Sequence, residues 1–196
     1  MYGFTNVSAN NLANAMAGEA QLSVDVTDPG MGQVTFAFSN VGTAAMSITD
    51  TYWDDDGATL DEIASIVEGA GVDFEVGASP PNLPSGNNVG FDADFSADSN
   101  PPTQPNGVNP GETLSVTFDL LDGVTFADVI GDINSALLRI GLHVQGFANG
   151  GSEAFVNAPP SNVIPAPGAA LLGLLGLGTV VGARKRANSA HRPEGD

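Results

Sequence analysis

The chain has no cysteine, so it has no disulfides, thiol nucleophiles or thiolate metal sites. Basic residues are nearly as scarce: five Lys and Arg stand against 23 Asp and Glu. Arg139 is the only one before Arg184, Lys185, Arg186 and Arg192. Residues 1–162 therefore carry 21 acids (23 minus Glu194 and Asp196) and one cation. Such a body repels nucleic acid and anionic lipid, so nucleic-acid binding is not expected. The chain has two histidines, and His143 is the only one before the tail. A nucleophile needs a base beside it and zinc needs several His or Cys ligands, and neither pattern is present, so the chain reads as non-enzymatic.

What is present is turn-rich alternation. From Ala20 to Val26 and from Val34 to Phe38 apolar and polar residues alternate, and Asp28-Pro29-Gly30 separates the two runs, the pattern of a β-hairpin. Further strands are expected over Ala45 to Trp53, Val72 to Val76, Leu114 to Leu120, Leu138 to Gln145 and Ala154 to Val156. Leu60 to Val67 fits either a strand or a helix. The first eighteen residues show no clear period, and residues 77–111 read as a long irregular stretch whose prolines exclude a central strand. Phe126, Val129, Ile130 and Ile133 follow helical spacing behind Thr125 as cap, the one helix expected in the body. Six to eight strands with polar outer faces predict a mainly β domain, an antiparallel β-sandwich with one short helix, over residues 1–160.

Two acidic clusters are candidate calcium ligands, because calcium takes carboxylate oxygens in loops. They are Asp54, Asp55 and Asp56, followed by Gly57, and Asp92, Asp94 and Asp98. Neither matches an EF-hand loop, and solvated acidic turns are the alternative reading. His143 is expected to be satisfied or solvated. Tyr52-Trp53 is a possible sugar platform, although neighbours on a strand point to opposite faces and at least one should be core. The Thr residues are scattered, without the regular array of an ice-binding face.

From Val163 to Ala183 no residue is charged, and Arg184-Lys185-Arg186 follows at once. An apolar span about 30 Å long as a helix, ending in a basic cluster, predicts a separate C-terminal transmembrane helix with the body outside; a buried core helix is the alternative. Pro165 and Pro167 place the helix start near Gly168. The order of Pro165-Ala166-Pro167-Gly168, a Gly/Ala/Leu-rich span and a terminal basic cluster resembles the PEP-CTERM sorting domain of exported bacterial proteins, also described as the C-terminal domain of certain ice-binding proteins. Ala166 stands where that family usually has Glu, so the tail looks like its PAPG variant. The resemblance implies recognition by an exosortase, a membrane transpeptidase that cleaves near the Pro motif and passes the body outward. The run Leu138 to Asn157 resembles the body of PEP-CTERM proteins of unknown function, which implies no activity.

The expected organisation is an exported domain over 1–160, a sorting signal over 161–186 and a cytoplasmic tail over 187–196. The expected localisation is the inner membrane before processing, then the cell surface or extracellular matrix, with extracellular polysaccharide as a candidate partner. The alternative is a secreted binding module for carbohydrate, calcium or ice. Met1 to Asn6 has no basic or apolar leader character, so a leader encoded upstream of Met1 is expected.

Overall fold

The computed structural model describes residues 1–157. Ten strands form one nearly closed antiparallel sheet. They are β1 (Tyr2–Asn6), β2 (Leu22–Thr27), β3 (Gln33–Asn40), β4 (Ser47–Asp55), β5 (Leu60–Glu68), β6 (Phe74–Val76), β7 (Phe95–Ser99), β8 (Thr113–Leu120), β9 (Leu138–Gln145) and β10 (Glu153–Asn157). Their order is β5-β8-β3-β2-β1-β10-β9-β4-β7-β6. The last residue of β5 reaches back to the first of β6, where the Phe74 amide donates to Glu68 Oε1 at 2.6 Å.

The mainly antiparallel β character expected from the sequence is present, with corrections. There are ten strands instead of six to eight, and among the described residues three helices instead of one: α1 (Leu12–Gln21), the four-residue α2 (Thr103–Asn106) and α3 (Phe126–Ser135). Residues 1–18 supply β1 and most of α1. β1 joins the two halves of the sheet, since Tyr2 and Gly3 pair with β2 while Phe4, Thr5 and Asn6 pair with β10. A strand that changes partners along its length turns the sheet through a corner. The stretch 77–111 also contains a paired interior strand, β7, between β4 and β6. Its prolines lie on either side of Phe95–Ser99, so every β7 amide remains free for the ladder.

The period-two pattern has its usual cause. On β3, Val34, Phe36, Phe38 and Asn40 are buried while the intervening residues are half exposed. Phe36 and Phe38 from β3, and Phe118 from β8, meet the fully buried Trp53 of β4 edge-on, at ring-centre distances of 5.7, 5.8 and 4.8 Å. Edge-to-face pairs add about 0.5–1.5 kcal/mol each beyond area burial. α3 starts as expected, with the Thr125 side chain accepting from the Asp128 amide and Asp128 accepting in return from the Thr125 amide. It buries Val129 and Ile133. Among the described residues no helix is long and apolar enough to cross a membrane. The expected transmembrane helix and the sorting residues Pro165, Ala166, Pro167, Gly168, Arg184, Lys185 and Arg186 lie outside the described residues.

Candidate functional site

All nine residues of β4 are buried, a pattern that needs cover on both faces. Thr51 and Trp53 face the core. On the opposite face, which Asp50 shares, Tyr52 and Asp54 lie beneath residues 77–94, which cross the outer surface as a strap hydrogen-bonded to both through the Pro80 carbonyl and the Asp92 amide. Gly141 on β9 makes the close approach possible: a Cβ there would stand 3.0 Å from both Leu83 Cδ2 and Phe91 Cζ of the strap. Tyr52, Leu83, Phe91, Ala154 and Val156 make a second, smaller apolar cluster between sheet and strap. Tyr52 and Trp53 thus do point to opposite faces, and both are buried, so neither ring is open to a sugar.

Two polar staples hold the strap. At one end Arg139 pairs with Asp54 and donates to the carbonyls of Val89 and Gly90 at 2.8 and 2.6 Å, with its guanidinium 5.4 Å from the centre of the Phe91 ring. The Asp92 amide donates to the same Asp54 oxygen at 3.0 Å. Burial pushes the Asp54 carboxyl above the ordinary aspartate range, against the opposing pull of the Asp92 amide and Arg139. At the other end Tyr52 Oη donates to the Pro80 carbonyl at 3.0 Å and the Ser79 amide to Asp98 Oδ2 at 3.3 Å. Burial, then the nearby Asp50 and Asp98, drive the Tyr52 hydroxyl pKa well above its usual value, so Tyr52 stays protonated and can donate to Pro80.

Beneath this second staple the sheet register lines up four titratable residues. Glu75 of β6 pairs with Asp98 of β7, Asp98 with Asp50 of β4, and Asp50 with His143 of β9. Paired residues of antiparallel strands share a face. His143 Nδ1 lies 2.8 Å from Asp50 Oδ2, and Thr49 Oγ1 donates to that oxygen at 2.8 Å. Asp98 is pushed up to about 6, first by burial and then by Asp50 beside it. Two carboxyls in one partly desolvated site do not both ionise freely, so Asp98 keeps its proton to higher pH than an ordinary aspartate.

No family model, no curated protein and no solved structure matches this chain.

The six calcium candidates have distinct places. The two sequence clusters do meet, but through backbone amides: Asp54 accepts from the Asp92 amide and Asp94 from the Asp55 amide. Asp55 is wrapped by its own turn, accepting from the Thr59 and Leu60 amides and the Thr59 hydroxyl. Asp92 Oδ1 accepts from Asn82 at 3.0 Å. Asp56 is exposed, and Asp98 belongs to the row with Asp50. Among the described residues no three His, Cys, Asp or Glu side chains form a group able to hold a metal ion.

Two features escaped sequence reasoning. Asp50 and His143 are 93 residues apart, and nothing local marks them as neighbours. Glu153 is buried at the start of β10 and ties down the turn before α1, accepting from the Asn10 and Asn11 amides at 3.2 and 2.6 Å and from the Ser8 and Asn6 side chains. Burial opposes its ionisation, but these hydrogen bonds outweigh it and hold its carboxyl below the usual glutamate range. An acid that accepts four hydrogen bonds looks in sequence like any other acid.

Proposed function

We propose that this chain is an exported, non-enzymatic surface or extracellular-matrix protein, a β-sandwich body followed by a transmembrane helix within an exosortase-type sorting signal. The observation that carries this reading is the order of features after residue 160: Pro165-Ala166-Pro167-Gly168, an uncharged apolar span to Ala183, and Arg184-Lys185-Arg186. Apolar length brings the tail into the membrane, and the basic cluster stops translocation and stays on the cytoplasmic side. The distribution of charge supports the same orientation. Four of the five basic residues follow the span, while the body that would be carried across holds one.

The test is to express the full chain, behind a secretion leader and with a C-terminal epitope, in a bacterium bearing an exosortase and in the same strain with the exosortase deleted. The expected result is loss of the epitope and appearance of the body at the surface only where the enzyme is present. Pro165→Ala with Pro167→Ala should leave the epitope attached and the body at the inner membrane. Retention of the epitope in both strains refutes the processing step, and a body that stays in the cytoplasm refutes export.

A further inference from the structure

Helix α1 is inside out. An amphipathic helix on a small domain normally buries its large apolar side chains. This one buries Asn14, Ala15, Gly18 and Gln21 and leaves Leu12 and Met16 exposed by 77% and 62%. Leu12, Met16 and the exposed Ala20 are spaced at i, i+4 and i+8, so they form one solvent-facing stripe. The polar side is used inward. Gln21 Nε2 donates to Asn40 Oδ1 and to the Ala44 carbonyl, its Oε1 accepts from the Ala44 amide, and Asn14 Nδ2 donates to the Gly150 carbonyl. Gly18 lets the helix lie directly on the Phe155 ring, which a Cβ there would overlap.

The surroundings of the stripe are unusual for this protein. Residues 1–18, 40–49, 99–111 and 144–152 contain no Asp, Glu, Lys or Arg, and the fold brings parts of them together around α1. Ala13 and Ala17 line one shallow cleft with Ala44, Phe147 and Ala148. Ser47 Oγ donates to the Gln104 carbonyl at 2.8 Å, joining a third uncharged segment to the second. Glu19 is the one charged residue of α1.

We propose that this face is a self-association surface, in which two copies pack their α1 stripes antiparallel about a two-fold axis. Charge selects the occupant. The body has 21 acids and Arg139, so two copies repel wherever acidic faces approach, and repulsion is least across this face, where Glu19 is the one acid of the helix. A helix that lies on a bilayer usually has Lys or Arg along its flanks, and α1 has none. The stripe is also self-complementary: in an isologous contact Met16 meets its own copy near the axis and Ala20 makes room for Leu12. This inference rests on residues 12–20 and stands apart from the sorting tail.

The absence of cysteine makes the test direct. Met16→Cys and Met31→Cys each introduce a single thiol into the full chain, at sites exposed by 62% and 90%. Both variants are held in detergent, so the tail contributes equally to each. Disulfide cross-linking is followed under mild oxidation, with rates normalised to each thiol's reaction with a small reagent. The expected result is that Met16→Cys cross-links at least about tenfold faster than Met31→Cys, because the contact raises the local thiol concentration. Adding Leu12→Glu or Ala20→Glu, both at exposed positions, should remove that advantage while circular dichroism stays unchanged. Equal rates for the two thiols overturn the proposal. So does an advantage that survives both glutamates, or, for chain reconstituted from detergent into neutral lipid vesicles, protection of the Met16→Cys thiol in place of cross-linking.

Discussion

Replacing Arg139 by Met tests whether one ion pair holds the strap to the sheet. Methionine keeps much of the apolar stem but removes the guanidinium from Asp54, whose side chain is 3% exposed, and from the Val89 and Gly90 carbonyls. Breaking a buried pair from one side costs about 3–5 kcal/mol, because the partner charge stays behind uncompensated. The cation–π contact with Phe91 adds about 1 kcal/mol. Asp54 can relax by taking up a proton while still accepting from the Asp92 amide, which brings the net expectation to about 3–4 kcal/mol. With a urea dependence of about 2 kcal/mol per M, the unfolding midpoint should fall by about 1.5–2 M. No neighbouring cation can substitute, since Arg139 is the only Lys or Arg among residues 1–162. Limited proteolysis should cut Arg139→Met within residues 77–94 before any other segment. Adding Asp54→Asn should recover at least about 1 kcal/mol, because the stranded charge is then gone. A midpoint shift below about 0.5 M, or a double variant no more stable than the single one, would refute the assignment of the pair as the strap's anchor.

Four further outcomes follow from the geometry. Glu153→Gln should destabilise the protein by about 2–3 kcal/mol at neutral pH in urea titrations, since it weakens charge-assisted bonds to a buried acceptor. Glu153 ionises at lower pH folded than unfolded, so its contribution is present above the ordinary glutamate range and is lost as pH falls through the depressed value; Glu153→Gln should flatten that acid limb. Asp98 has the opposite sign: its folded value of about 6 lies above the unfolded 3.8, so stability falls as pH rises between the two, and Asp98→Asn should remove that slope and raise the melting temperature at pH 7–8. Gly18→Ala should cost about 1–3 kcal/mol by thermal or urea unfolding, despite alanine's better helix propensity, because the added methyl overlaps the buried Phe155 ring. Millimolar calcium should leave the melting temperature within about 1 °C, since Asp54 already has Arg139 and Asp55 is enclosed by Thr59 and Leu60; a rise of several degrees would show that the acidic turns rearrange to bind it.

Much of the fold was legible where its cause is local. Alternation along Val34–Phe38, Leu114–Leu120 and Leu138–Val144 marks β3, β8 and β9 because each strand has one face in the core. Thr125 and Asp128 marked the start of α3 because a capping box lies within four residues. The elements that were missed lack such a local cause. β7 is five residues long and was hidden by the prolines on either side. α1 buries polar and small residues against a sheet that only exists once β1 and β10 have paired, so its own pattern pointed the wrong way.

By itself the sequence determined the acidic, single-cation, cysteine-free character of the body, the alternating strands, and the apolar tail with its basic stop. Those are properties of composition and of periods a few residues long. Tertiary structure alone decided which acids matter. It set Asp98 and His143 on either side of Asp50, gave Asp54 the body's one arginine and surrounded Glu153 with donors. The physical reason is register: strand pairing joins residues dozens of positions apart, and a one-residue slip would turn each of these side chains to the opposite face.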